Sequence, residues 1–157
     1  RNYKILVNEI VIQSSNKDYY SDETIMEMNR FNDTTDTINA LLDQLQDLPQ
    51  ETQVYVHNYE LHGNKWMESG YEINQTWCDF INTDEFIMKE LLSKGNYPHE
   101  CPINAMKYEI KDFLIDEEQL PEELPGEFWR FVFEQSVGGA NIIVFQFDVQ
   151  IKRNSYK

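Results

Sequence analysis

The strongest constraint on the fold is the alternation of apolar and polar residues close to the C terminus. Between Asn141 and Lys152 an apolar side chain occupies every second position. Successive side chains of a β-strand point to opposite faces of the sheet, so this spacing predicts a strand with one apolar face. The apolar face carries Ile143, Phe145, Phe147, Val149 and Ile151. The opposite face carries Gln146, Asp148, Gln150 and Lys152.

Further segments are rich in β-branched and aromatic residues or alternate in the same way. The glycine-containing pairs Gly63-Asn64 and Gly138-Gly139 are suited to hairpin turns between neighbouring segments. These patterns together predict about seven strands. They indicate a mainly β fold, an antiparallel two-sheet β-sandwich, in a single domain over residues 1–157. The other predicted strands are Tyr3–Ile12, Glu23–Phe31, Gln53–His62, Lys65–Thr76, Ala105–Ile115 and one that starts at Glu127.

One short α-helix is predicted near residues 83–94. Asn82 is suited to the N-cap position, and Glu85 three residues later would complete a capping box. Gly95 is suited to end the helix. The apolar stripe of this helix would consist of Phe86, Ile87, Leu91 and Leu92.

A series of short motifs suggests a family resemblance. The motifs are Cys101-Pro102, Tyr108-x-Ile110, Leu120-Pro121-x-x-Leu124-Pro125-Gly126 and Trp129-Arg130. This pattern resembles the ganglioside activator proteins and their small secreted insect relatives, the chemosensory B proteins, in or near the ML lipid-recognition class. The resemblance extends from Trp77 to about Arg153. It implies a cup-shaped β-sandwich that holds a lipid between its sheets, with no bond chemistry and no cofactor.

The resemblance bears on two ambiguous features of the sequence. Residues 36–48 have apolar side chains at helix spacing, whereas the family has a strand in this place. We therefore favour a strand and keep a helix as the alternative. Cys78 and Cys101 flank the predicted helix, and the relatives carry an equivalent pair. We expect a disulfide between them, with two buried free thiols as the alternative.

The resemblance also implies a set of candidate ligand-binding residues at alternating positions of the strands. In the best-matched strands these are Tyr108, Ile110, Trp129, Phe131, Phe133, Phe145 and Phe147. The less well-matched strands add Met26, Met28, Tyr55 and Tyr59. A content of nine Phe, nine Tyr, three Trp and five Met suits a deformable apolar cavity. For any single one of these residues, ordinary core packing is the alternative.

Charge and modification motifs restrict the partners and the location. With 28 acidic and 13 basic residues the chain has a formal net charge of −15, which argues against nucleic-acid binding. The expected partner is a lipid or another hydrophobic small molecule, and a membrane surface or a receptor is a further candidate. Asn32 and Asn74 begin N-glycosylation sequons. We expect a mature secreted protein from which a signal peptide has been removed, with a lysosomal or endosomal lumen as the alternative.

The sequence offers little support for catalysis. His57, His62 and His99 are its only histidines, and none belongs to a recognisable nucleophile or metal motif. A partial metal site at His57, His62 and Glu60 is less favoured than ordinary surface histidines, so no metal is expected. The leading hypothesis is a non-enzymatic carrier, presenter or chemosensory accessory. The alternatives are an extracellular protein-interaction module with a self-filled core and, more distantly, a lipid-processing hydrolase.

Overall fold

The computed structural model describes residues 1–33, 35–83 and 88–154, and within them the fold is mainly β. The strands, in chain order, are β1 (Tyr3–Ser15), β2 (Ile25–Asn32), β3 (Thr35–Asp43), β4 (Gln53–His62), β5 (Lys65–Thr76), β6 (Lys107–Leu114), β7 (Phe128–Val137) and β8 (Ala140–Arg153). Two short helices, α1 (Trp77–Ile81) and α2 (Met88–Leu92), lie between β5 and β6. A 3-10 turn, Glu117–Gln119, precedes β7.

The strands form two antiparallel sheets. The larger sheet has the order β1–β8–β7–β4–β5, and the smaller sheet has the order β2–β3–β6. This arrangement confirms the predicted antiparallel β-sandwich. The strand preferred for residues 36–48 is also confirmed, because β3 covers the first part of that segment. The turns at Gly63-Asn64 and Gly138-Gly139 connect β4 to β5 and β7 to β8, as predicted.

The register of β7 against β8 determines the inner face of the larger sheet. Phe131 lies opposite Phe147, and Phe133 lies opposite Phe145. The rings of Phe133 and Phe145 are stacked, with centroids 5.0 Å apart. Val56 of the neighbouring strand β4 pairs with Phe133 and is 1% exposed. Alternation therefore brings the apolar residues of three adjacent strands together on the face that packs towards the smaller sheet.

Strand β6 follows the predicted alternation only in part. Tyr108 and Ile110 are buried, as the pattern predicts. Met106, which shares their spacing in the predicted strand Ala105–Ile115, precedes the observed strand and is 48% exposed. That part of the prediction is wrong because the strand begins at Lys107, one residue after Met106.

A β-bulge then changes the periodicity of β6. Ile110 pairs with Ala40 and Phe113 pairs with Ile38, so Lys111 and Asp112 share a single position opposite β3. Asp112 has a φ of 53°, and its N–H donates to Asn39 Oδ1 at 3.0 Å. The extra residue returns Phe113, which is 2% exposed, to the core face.

A buried carboxylate connects the two sheets at one edge. Asp36 of β3 is 7% exposed, and its Oδ2 accepts a hydrogen bond from the Val7 N–H of β1 at 2.9 Å. Its Oδ1 accepts a second hydrogen bond from the Arg30 side chain of β2. Because both carboxylate oxygens have partners, this charge can be buried where β1 meets the smaller sheet.

The helical region differs from the prediction. Helix α1 begins directly after β5, and the Thr76 side chain caps it by accepting a hydrogen bond from the Asp79 N–H at 3.2 Å. Asn82 is the C-cap of α1 and not the N-cap of a later helix, so that assignment is wrong. The physical reason is an apolar stripe at helix spacing that starts earlier than we assumed. It consists of Trp77, Phe80 and Ile81, all buried.

The second helix lies within the predicted range of residues 83–94. Glu85, Phe86 and Ile87 lie outside the described residues, whereas Leu91 and Leu92 belong to α2. Gly95 follows α2, where a Cβ atom would lie 1.6 Å from the Glu109 carbonyl oxygen. A glycine is required here because the chain passes directly against the backbone of β6.

The predicted disulfide is confirmed. Cys78 and Cys101 are bonded, with an S–S distance of 2.00 Å and Cα atoms 5.6 Å apart. The bond joins α1 to the segment that leads into β6. Close by, the carbonyl of Ile103 accepts a hydrogen bond from the Leu48 N–H at 3.0 Å. A cross-link over this sequence separation stabilises the fold by roughly 3 kcal/mol in the chain-entropy model.

Candidate functional site

A partly enclosed cavity of about 200 Å³ lies between the two sheets. The larger sheet contributes mainly aromatic and branched side chains to its wall, which are Val7, Phe131, Phe133, Gln135, Ile143, Phe145, Phe147 and Val149. The smaller sheet contributes Met26, Ile38, Leu42, Ile110 and Phe113. The helices and connecting segments close the rest of the wall with Tyr20, Trp77, Phe80, Leu91, Leu92, Tyr97 and Ile115.

Aromatic rings on the wall pack edge to face and leave space beside them. Phe147 is perpendicular to both Phe145 and Phe133, with ring centroids 5.7 and 5.6 Å apart. Phe80 from α1 reaches Phe133 with a centroid distance of 6.2 Å. These contacts hold the rings in defined orientations. The cavity is therefore built on packed strands and a helix.

The few polar groups on the wall are uncharged and mostly paired. The Tyr20 hydroxyl donates to Gln135 Oε1 at 2.6 Å, and Trp77 Nε1 donates to the Tyr97 hydroxyl at 2.8 Å. Burial raises the pKa of Tyr20 and of Tyr97 above the ordinary value of 10.0, so both phenols are neutral at physiological pH. None of the described wall residues is Lys, Arg, His, Asp or Glu. The wall favours an uncharged occupant.

The structure brings part of the predicted ligand-binding set to this cavity. Met26, Ile110, Phe131, Phe133, Phe145 and Phe147 line it. Tyr108, Trp129 and Met28 do not, contrary to the expectation. The Tyr108 hydroxyl donates to the Asn104 carbonyl at 2.5 Å, and its ring packs on Tyr97. Trp129 Nε1 donates to the Pro125 carbonyl at 2.9 Å, while Met28 packs against the core beside the cavity.

Tyr55 and Tyr59 lie on the opposite face of the larger sheet, so their placement in the cavity was wrong. The register of β4 points Val54 and Val56 inward, and alternation then points Tyr55 and Tyr59 outward. A hydrogen bond with Glu72 raises the pKa of Tyr55 to about 12. The prediction failed because aromatic residues occur on both faces of this sheet.

Several wall residues were not in the predicted set. Ile143 and Val149 lie on the apolar face of the last strand that the alternation identified, and Gln135 continues the spacing of Phe131 and Phe133. These three could have been found from periodicity. Trp77 could not have been placed without recognising α1.

The outer face of the larger sheet carries a cluster of paired polar groups. Arg130 Nε and Nη2 donate to the two carboxylate oxygens of Asp148 at 2.8 and 2.9 Å. Gln146 Nε2 also donates to Asp148 at 3.2 Å, and the Arg130 guanidinium lies 4.3 Å from the Trp66 ring centroid. Gln146 and Asp148 were expected on this face, and they are 6% and 9% exposed. Their burial results from mutual contacts.

The other chemically interesting residues do not form a metal centre. His57 Nε2 lies 2.7 Å from a Glu134 carboxylate oxygen, and His62 Nε2 lies 3.2 Å from Glu60. In the described part of the chain, no group of three or more His, Cys, Asp or Glu residues is arranged to hold a metal ion. No helix in that part is both long and apolar enough to cross a membrane. The sequon residues Asn32 and Asn74 are both exposed.

These features define an antiparallel β-sandwich with an uncharged apolar cavity between its sheets. Residues 50–131, just over half of the chain, match the model of a family described as proteins of unknown function, DUF1091. The chain therefore belongs to that family. The matched segment includes β4, both helices, the disulfide and β6. No curated protein is significantly similar to this chain.

Proposed function

We propose that this protein is a secreted, non-enzymatic binding protein that holds a lipid or another hydrophobic ligand in the cavity between its sheets. It would act as a carrier, a presenter or a chemosensory accessory. The single observation that carries the proposal is the cavity of about 200 Å³ with an uncharged, almost wholly apolar wall. Concave apolar sites with few polar groups are typical of small-molecule binding proteins.

The size of the cavity limits what it can enclose. A hydrophobic cavity of about 150 Å³ is known to bind benzene. A cavity of about 200 Å³ accordingly suits a small hydrophobic molecule or the terminal part of a lipid chain. Each buried methylene contributes about 0.8 kcal/mol of gross transfer free energy, from which association and ordering costs are subtracted.

Secretion is supported by the covalent features of the chain. A structural disulfide between Cys78 and Cys101 is typical of oxidising compartments. The exposure of Asn32 and Asn74 leaves both sequons accessible to glycosylation. The resemblance to the ML lipid-recognition class agrees with an extracellular role, and a lysosomal or endosomal lumen is the alternative location.

A protein-interaction module is the alternative function. Such a module needs no space for a ligand, because its own side chains would fill its core. The cavity between the sheets favours the ligand-binding protein over this alternative. A hydrolase has less support still, because both cysteine sulfurs are bonded to each other and neither can act as a nucleophile.

The experiment is native mass spectrometry of protein purified from a eukaryotic secretory host, with an organic extract analysed in parallel. We expect a bound mass that is lost on extraction and identifies as an uncharged hydrophobic molecule. The naphthalene probe N-phenyl-1-naphthylamine should bind to the extracted protein. An unliganded mass together with no probe binding would contradict the proposal and favour the interaction module.

A matched pair of variants locates the binding site. Val149→Phe places an aromatic ring on the cavity wall, where it takes up more space than valine. Val11→Phe makes the same change on the outer face, opposite Gln146. Filling the cavity should weaken probe binding by at least about tenfold. The outer-face variant should bind as the parent protein does, and equal losses in both would contradict the assigned site.

A further inference from the structure

One wall residue of the cavity differs in chemistry from its neighbours. Gln135 is 2% exposed and lines the cavity on the same face of β7 as Phe131 and Phe133. Apolar side chains would be expected at such a position, since a buried amide needs hydrogen-bond partners. The Gln135 amide therefore needs hydrogen-bond partners, and the structure shows one partner, which binds the amide oxygen.

The N–H groups of the Gln135 amide are not used in the hydrogen bond that the amide oxygen accepts. Its Oε1 accepts a hydrogen bond from the Tyr20 hydroxyl at 2.6 Å. A primary amide nitrogen carries two further donors, and none of the described residues accepts a hydrogen bond from Gln135 Nε2. Trp77, the other nitrogen donor on the wall, has one N–H and donates it to Tyr97. The amide nitrogen of Gln135 is thus available to an occupant of the cavity.

Gln135 lies at the more deeply buried end of the cavity wall formed by β7 and β8. Along β7, Phe131 is half-buried and Gln135 is buried; along β8, Phe147 is half-buried and Ile143, the partner of Gln135, is buried. The four residue steps from Phe131 to Gln135 correspond to roughly 13 Å of extended chain. An occupant that enters past Phe131 and Phe147 therefore meets the amide with its leading end.

The surroundings of the amide determine which leading group can bind there. None of the described wall residues carries a positive charge, so a carboxylate at this end would be buried without a counter-ion. A hydrocarbon end would leave the amide donors unsatisfied. A neutral oxygen acceptor avoids both penalties, because it accepts the N–H hydrogen bond and carries no charge.

We propose that Gln135 is a specificity-determining residue, whose amide nitrogen binds the neutral oxygen acceptor at the leading end of a small apolar ligand. The ligand class is a ketone, aldehyde, ester or alcohol with a hydrocarbon body, in preference to a free fatty acid that enters carboxylate first. This inference rests on the proposed function and specifies the chemistry of its ligand. Tyr20 is a positioning residue, since its hydroxyl holds the amide oxygen.

The test compares two ligands of nearly equal shape, 2-nonanone and 2-methyl-1-nonene, in which a CH₂ group replaces the carbonyl oxygen. We expect both ligands to displace N-phenyl-1-naphthylamine from the unmodified protein. Gln135→Leu should weaken 2-nonanone binding roughly fivefold relative to the alkene, since it removes one hydrogen bond. Gln146→Leu makes the same change on the outer face and should leave the ratio of the two affinities unchanged.

A second measurement needs no variant to fold. In the unmodified protein, the side-chain amide resonances of Gln135 in a ¹⁵N–¹H spectrum should shift with 2-nonanone and not with the alkene. Binding of both ligands without that difference, and with an unchanged affinity ratio in Gln135→Leu, would overturn the role of Gln135 and leave the proposed function standing. Binding of neither ligand nor the probe would overturn both.

Discussion

The inner and outer faces of the larger sheet are built from the same strands, but their side chains are buried by different contacts. On the inner face, Phe133 and Phe145 stack on each other and form part of a cavity wall. On the outer face, Arg130 is half-buried and Asp148 is buried, because the two side chains bind each other. The inner residues are covered by the second sheet, and the outer residues by their neighbours within the same sheet.

This difference shows that aromatic content is a poor indicator of a cavity. Tyr55 and Tyr59 flank His57 on the outer face, with ring centroids 4.8 and 5.5 Å from the imidazole, where they form a surface cluster. The phenylalanines of β7 and β8 lie one and two strands away from β4 but face the other sheet. What distinguishes them is which face the second sheet covers.

The largest effect should come from truncating the inner face. Phe133→Ala removes a ring that is 7% exposed and contacts Phe80, Phe145 and Phe147. We expect the free energy of unfolding in urea to fall by about 3–5 kcal/mol. Val132→Ala, the adjacent outer-face control, should cost about 1 kcal/mol. Similar losses for the two variants would mean that the faces are equally packed.

A smaller loss is expected from breaking the outer-face ion pair. Arg130→Met leaves the Asp148 carboxylate, which is 9% exposed, without its bidentate partner. We expect a loss of about 2–3 kcal/mol, at or below the lower end for buried pairs because the Arg130 side chain is partly exposed. The double variant Arg130→Met/Asp148→Leu should recover most of the loss. Additive losses would show that the pair is not coupled.

Alkaline pH should affect the two faces unequally. Burial raises the pKa of Tyr20 and Tyr97 in the folded state above their ordinary value of 10.0, so the unfolded chain releases protons first as pH rises. Their stabilising contribution is complete below pH 10 and is lost as pH rises towards the folded-state pKa values. The unfolding free energy should then fall by about 1.4 kcal/mol per pH unit for each tyrosine.

Urea unfolding at a series of pH values between 9 and 11 measures this slope. Tyr97→Phe should reduce it. Tyr55→Phe is the outer-face comparison and should reduce it less, because Tyr55 is partly exposed and solvent screens its interaction with Glu72. Equal changes of slope in both variants would contradict the assignment of Tyr97 to the buried face.

The smallest effect is expected for Tyr59→Phe. Its hydroxyl pairs with His57 Nδ1 at 3.0 Å on the outer face and does not contact the cavity. We expect the unfolding free energy to change by no more than about 0.5 kcal/mol. The affinity for N-phenyl-1-naphthylamine should stay the same, and a weakened affinity would move the binding site to the outer face.

Much of the fold could be predicted from the sequence because the local features agree with one another. The ends of β4 and β5 match the predicted bounds, since β-branched and aromatic residues fill both segments and Gly63-Asn64 separates them. Helix α1 could also have been predicted from the Thr76 cap and the spacing of Trp77, Phe80 and Ile81. The bulge at Asp112 could not, because it depends on the pairing of β6 with β3.

The candidate site was only partly predictable. The alternation of β7 and β8 correctly assigned Phe131, Phe133, Phe145 and Phe147 to one face, and extending it by two residues would have included Gln135. The misplacement of Tyr55 has a different origin. Both faces of β4 carry large side chains, so local sequence could not show which set faces the second sheet.

The sequence by itself determined the strands, their alternating faces and the cysteine pair, because these follow from residue type and spacing along the chain. The tertiary structure alone decided which face the smaller sheet covers, how the bulge at Asp112 returns Phe113 to the core, and that space remains beside the rings. The reason is geometric. A period of two specifies two faces for each strand, but only the pairing of distant strands determines which of them is buried and how completely it is filled.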